Sequence, residues 1–213
     1  MMPVKTPGAQ MTRVVGIDLA GSERRDTGFC VMDSLMKCST LVLHTDQEII
    51  NQTLAARPRV VSVDAPLFLP KGRESLDKRG PPHFRECDRE LIRLRIKFFP
   101  ISLGPMRMLT ARGIRLRATL EGSGLEVIES FPGAIQDILG IPRKQRGLRA
   151  LELGLRRYGV TLEKSKEGYT GDELDAITSA LVGILYTRGE FRAIGDRAEG
   201  LMIIPRFRHM GRR

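Results

Sequence analysis

"RVVGIDLAGSERRDTGF", residues Arg13 to Phe29, decides how the rest of the chain is read. Val14 to Ile17 form a buried strand pattern, and the strand ends on Asp18, followed at once by Leu-Ala-Gly-Ser. A carboxylate at the edge of an apolar core has to be solvated, hydrogen-bonded or bound to a cation, because an isolated buried charge is costly. The same pattern returns twice. "RVVSVDAP" ends a strand on Asp64, and "LEVIESFPG" ends another on Glu129. In open α/β sheets the crevice beyond the carboxyl ends of the strands is where ligands bind. Neighbouring strands lie about 4.8 Å apart, so acids on adjacent strand ends can converge on metal ions about 3.5–4 Å from each other. Oxygen-only ligands favour Mg²⁺ or Mn²⁺.

Between these strands the organisation reads as βββαβ, an insertion, then βα and a long closing helix. Thr27 to Met32 and Ser39 to His44 complete an antiparallel meander. Asp46 caps a helix that runs to Arg57, where Pro58 stops it. Residues 66–124 form a helical insertion, with helical patterns over about Phe84 to Phe99 and Met106 to Leu120. Gln145 to Tyr158 gives a further helix, and "GDELDAITSALVGILYTRG" is the clearest helix of all. Phe191 to Ile194 and Gly200 to Ile204 suggest a small hairpin. The expected fold class is α/β, a mixed five-stranded sheet flanked by helices, in one domain over residues 11–205, with loosely ordered ends at 1–10 and 206–213.

Asp172 and Asp175 open the last helix at i, i+3 and can present oxygens on one face. Taken alone they read as caps, Asp172 at the N-cap after Gly171 and Asp175 as a capping-box acid. Ala176 and Ala180 beside them are small enough for the helix end to approach a sheet closely.

Composition narrows the partners. Of 213 residues, 35 are Lys or Arg against 25 Asp or Glu, a formal charge of +10 that suits a polyanion. Arg73, Arg79, Arg85, Arg89 and Arg93 crowd the insertion and can line a phosphate-tracking groove, or simply form a solvated basic helix face. His83 sits among them but is not expected to bind metal. Aromatics are only 5% of the chain and tryptophan is absent, so stacking platforms for single strands have weak support. Cys30, Cys38 and Cys87 are odd in number with no CxxC spacing, so neither a disulfide framework nor a zinc site is indicated, which fits a reducing cytoplasm. No stretch approaches the length of a membrane span, and MMPVKTPGAQMTR lacks the apolar run of a secretory leader, so a cytoplasmic protein is expected.

"GIDLAGS", "VSVDAPL", "CDRELI", "VIESFPGA" and "DELDAITSAL" together resemble the ribonuclease-H-like superfamily, and within it the prokaryotic predicted-nuclease family called domain of unknown function family 429, over Val14 to Pro205. The resemblance implies that the first three strands form the meander and that the first, fourth and fifth lie side by side, placing Asp18, Asp64 and Glu129 on neighbouring strands. "DELDAITSAL" is also similar to the closing helix of RuvC-type resolvases, in which both acids bind metal and the enzyme acts as a dimer. RuvC-type enzymes carry a glutamate where Asp64 stands, and Glu129 is additional here, so which of the five acids hold metal stays open at this point. The function expected is two-metal phosphodiester hydrolysis of nucleic acid. The alternatives are an actin-like ATP-dependent phosphotransferase, for which one domain is short, and a non-catalytic nucleic-acid-binding scaffold of the same fold.

Overall fold

The computed structural model describes residues 11–78, 80–163 and 168–206. A mixed sheet runs through it, built from β1 (Arg13–Asp18), β2 (Thr27–Asp33), β3 (Lys37–Leu43), β4 (Val60–Asp64), β5 (Val127–Ser130), β6 (Thr161–Leu162), β7 (Phe191–Asp196) and β8 (Gly200–Pro205). The order is β6-β3-β2-β1-β4-β5-β8-β7. β1, β2 and β3 are antiparallel neighbours, whereas β1, β4 and β5 are parallel. The central five strands thus have the ribonuclease-H-like arrangement. The sheet has eight strands among the described residues, not five. β6 adds to the outer edge of β3, and the C-terminal hairpin joins the other side through β8 beside β5 instead of standing apart. Two-residue strands such as β6 carry too little pattern to be seen in sequence.

Helices cover both faces, which is why the central strands are apolar on both sides. α1 (Asp46–Ala56) and α3 (Gly104–Gly122) pack Ile49, Leu116 and Leu120 against Val15, Ile17, Val61 and Val63. On the other face α5 (Leu148–Arg157) and α6 (Gly171–Thr187) pack with Val14, Cys30, Val60 and Ile128. α2 (Glu86–Arg93) and α4 (Pro132–Leu139) join β7 and β8 in a third apolar cluster. α2 is shorter than its pattern predicts, because Arg95 turns left-handed (φ 58°) just beyond it and the segment to Pro100 has no regular structure. α4 is an unpredicted helix, started by Pro132 in its first turn and ended by left-handed Gly140.

Two caps differ from expectation. Thr45, not Asp46, caps α1, in a capping box with Glu48. Thr170 caps α6 in the same way with Glu173. Asp172 and Asp175 are therefore relieved of the capping role that their spacing suggested. Among the described residues no helix is long and apolar enough to cross a membrane.

Candidate metal centre

Asp18 and Asp64 are register partners on adjacent parallel strands. Paired residues on neighbouring strands point to the same face, and here it is the face covered by α6. The two carboxyls are close enough that the charge of Asp18 acts on Asp64. α6 reaches them because β1 and β2 have no side chains where it crosses. A Cβ at Gly16 would collide with the backbone of Ala176 and Ala180, and one at Gly28 with that of Asp172. This approach brings Asp175, nearly buried in the second turn of α6, down onto the strand ends.

Two residues that sequence reasoning missed hold Asp175. Gln136 Nε2 of α4 donates to its Oδ1 at 2.8 Å, and Lys144 Nζ, from a 3-10 turn at Lys144–Arg146, lies 2.7 Å from its Oδ2. Lys144 is also 3.9 Å from Asp172 Oδ1. Nothing in the spacing of "PRKQRG" marks this lysine, since the contact is made across the fold. A third unpredicted residue fixes the loop after β1: Arg112 of α3 is buried and donates to the carbonyls of Ala20 and His44 and to Asp46.

The electrostatics follow from crowding. Burial first, then the charge of Asp175, pushes the Asp18 carboxyl up from its ordinary value to about 7, with Lys144 opposing. Burial, then Asp18 and Asp175, holds Asp64 well above the usual carboxylate range. Burial works against the Lys144 ammonium, yet its bond to Asp175 and the nearby acid charges leave it above its ordinary value. One lysine thus faces several aspartates.

Glu129 does not join them. It is register partner to Val63, one residue short of Asp64, so it leaves β5 on the opposite face. There, 1% exposed, it accepts from Leu67 N and from Arg85 Nη1, both at 2.7 Å. Arg85, 2% exposed, also pairs with Asp88 at 2.9 Å. Glu129, Arg85 and Asp88 thus form a buried ion triad that anchors α2 to the sheet. Ser130, next along β5, takes the place on the α6 face and donates to Ser179 Oγ at 3.2 Å.

The arginines divide likewise. Arg73 is buried and donates to the carbonyls of Ser75, Lys78, Gly80 and Pro82, so its role is to hold its own loop. Arg89 and Arg93 are exposed on α2, both beside Glu86. Arg79 lies outside the described residues, as do residues 1–10 and 207–213 of the expected loose ends. His83 bonds Ser102.

Among the described residues no three of Asp, Glu, His and Cys are gathered tightly enough to hold a metal ion as they stand. The donor set nevertheless fits a hard divalent cation: Asp18, Asp64, Asp175 and Asp172 offer oxygen only, and their mutual repulsion is relieved by added positive charge.

No model of a known protein family matches the sequence, and no curated protein matches it. Among solved structures the chain is similar to Thermus thermophilus RuvC, both alone, at 15% identity and a TM-score of 0.47, and in complex with a Holliday junction substrate, at 14% identity and a TM-score of 0.47. In each case 84% of this chain and 97% of that one are covered. The strand order by itself makes the fold ribonuclease-H-like.

Proposed function

We propose that the chain is a metal-dependent nuclease that hydrolyses phosphodiester bonds in nucleic acid, with Asp18, Asp64 and Asp175 as the residues that hold Mg²⁺ or Mn²⁺ and Asp172 beside them. One observation carries this reading. Two register-paired aspartates at the carboxyl ends of parallel strands meet a third across a glycine-lined helix crossing, in a group whose charge is only partly offset by Lys144. When bound, the metal supplies an activated water and stabilises charge on the leaving oxygen. The chain's own residues do the rest. Gln136 and Lys144 fix the rotamer of Asp175, and the Lys144 ammonium attracts an incoming phosphate to the strand ends. Arg89 and Arg93 add sequence-independent attraction, so binding weakens as salt rises. Cys30, Cys38 and Cys87 are all buried free thiols, in keeping with a reducing cytoplasmic setting.

The test is cleavage by the purified protein of single strands, duplexes, RNA–DNA hybrids and four-way junctions in Mg²⁺ or Mn²⁺. Cleavage of at least one is expected, and Asp18→Asn or Asp175→Asn should abolish it while leaving binding largely intact. Strong binding without cleavage, the same in the aspartate variants, would make the chain a scaffold. ATP hydrolysis without nucleic-acid cleavage would make it a phosphotransferase.

A further inference from the structure

A cavity of about 960 Å³ is lined by Asp64 and Lys144 and also by Arg85, Asp88 and Glu129 of the buried ion triad. The space lies at the upper end of the range that small-molecule sites occupy, roughly 300–1,000 Å³. Its walls are unusual for this chain. Phe84, Phe98, Phe99 and Phe131 all line it, four of the eight phenylalanines in a sequence with few aromatics. Phe84 and Phe98 meet edge to face at 6.1 Å, and Phe99 stands 76% exposed on the loop after α2. Together with exposed Ile92 it extends the apolar lining of the chamber to the surface, and a contiguous exposed apolar patch marks a binding surface. Arg95 and Lys97 on the same loop are exposed lining residues, and among the described residues their side chains make no hydrogen bond or ion pair.

We infer that this chamber receives the base of an unpaired nucleotide, stacked on the phenylalanine walls, while the backbone phosphate of that nucleotide lies beside Asp64 and Lys144. The inference rests on the nuclease reading of those acids and adds a substrate class to it: single strands, or a nucleotide turned out of a duplex. Each part of a nucleotide meets its chemical complement. The flat apolar base meets the phenylalanines, and the anionic backbone meets Arg95, Lys97 and Lys144, which also line the chamber. Base stacking on aromatic side chains is tolerant of sequence. A base inside an intact duplex cannot enter without leaving its stack, which makes paired substrates the poorer ones.

The chain contains no tryptophan, so Phe99→Trp installs a single indole reporter at an exposed position without disturbing the core. The full chain carrying it is titrated with a short oligodeoxyadenylate, an abasic strand of the same length, the corresponding duplex, and free deoxyadenosine monophosphate. The wild-type protein is assayed in parallel for cleavage of the same strands. Quenching of the indole by the oligodeoxyadenylate is expected, with affinity about tenfold or more above that for the abasic strand. Phe99→Ala should erase most of that difference. Equal affinity for abasic and base-bearing strands with an unquenched indole overturns the inference, and if the strands are still cut the nuclease reading survives it. Free nucleotide bound as tightly as the strand, with no strand cut, overturns both, whereas a duplex that binds and is cut better than the single strand without quenching overturns the inference and leaves the nuclease reading standing.

Discussion

Asp18 keeps its proton to about pH 7 in the folded protein, whereas the unfolded chain releases it near the ordinary value of 3.8. Between those values the folded state binds more protons than the unfolded one, so this group's contribution to stability falls as pH rises through the window. Asp64 is shifted in the same direction. Without divalent metal, Asp18→Asn should therefore be more stable than wild type above pH 7, by about 1–3 kcal/mol, and should lose that advantage as pH falls towards 4. Denaturant unfolding across pH measures this directly. A variant that is less stable at every pH would mean the carboxylate is favourably paired and the crowding is unimportant. Glu129→Gln should behave in the opposite way. It leaves the Arg85 guanidinium buried with only Asp88 to answer it, so a loss of about 3 kcal/mol is expected at neutral pH, with metal response preserved. In sequence, Glu129 is indistinguishable from Asp18 and Asp64, each an acid ending an apolar strand. A one-residue difference in register sends it to the other face, and register is set by tertiary pairing that no single strand records.

α6 is the element on which the site depends. Its length and apolar pattern were legible, and Ala176 and Ala180 correctly signalled a close approach. Its cap was not, because Thr170 and Glu173 compete with Asp172 and Asp175 for the same role, and only the observed hydrogen bonds separate the two pairs. The partner of the small alanines is Gly16, whose position leaves no room for a side chain beneath α6. Gly16→Ala should push the helix outward, costing about 2 kcal/mol or more through overpacking, and should weaken metal binding because Asp175 moves with the helix. Gly21→Ala is the control. Its added Cβ meets nothing nearer than 3.6 Å, so thermal unfolding and metal affinity should both stay close to wild type. Equal effects of the two substitutions would show that the helix crossing does not set the position of Asp175.

Across the whole molecule, the central sheet was readable because repeated strand-acid patterns are long enough to stand out, while β6, the sheet-extending role of β8 and the short α4 were not. Charge was legible in amount but not in place. Arg73, Arg85 and Arg112 look like any other basic residues in sequence, yet each is buried and satisfied inside the fold. Lys144 and Gln136 were invisible for a related reason, since they reach Asp175 from segments far from it in the chain. The outcome is a pair of register-matched aspartates, Asp18 and Asp64, that feel the charge of Asp175 on α6, beside a phenylalanine-lined chamber, on a chain of net charge +10. The most direct measurement of what those acids do is anomalous diffraction from crystals soaked in Mn²⁺. A manganese peak bounded by Asp18, Asp64 and Asp175, absent in Asp18→Asn crystals, is the predicted result. Soaked crystals with no peak at these acids would contradict it.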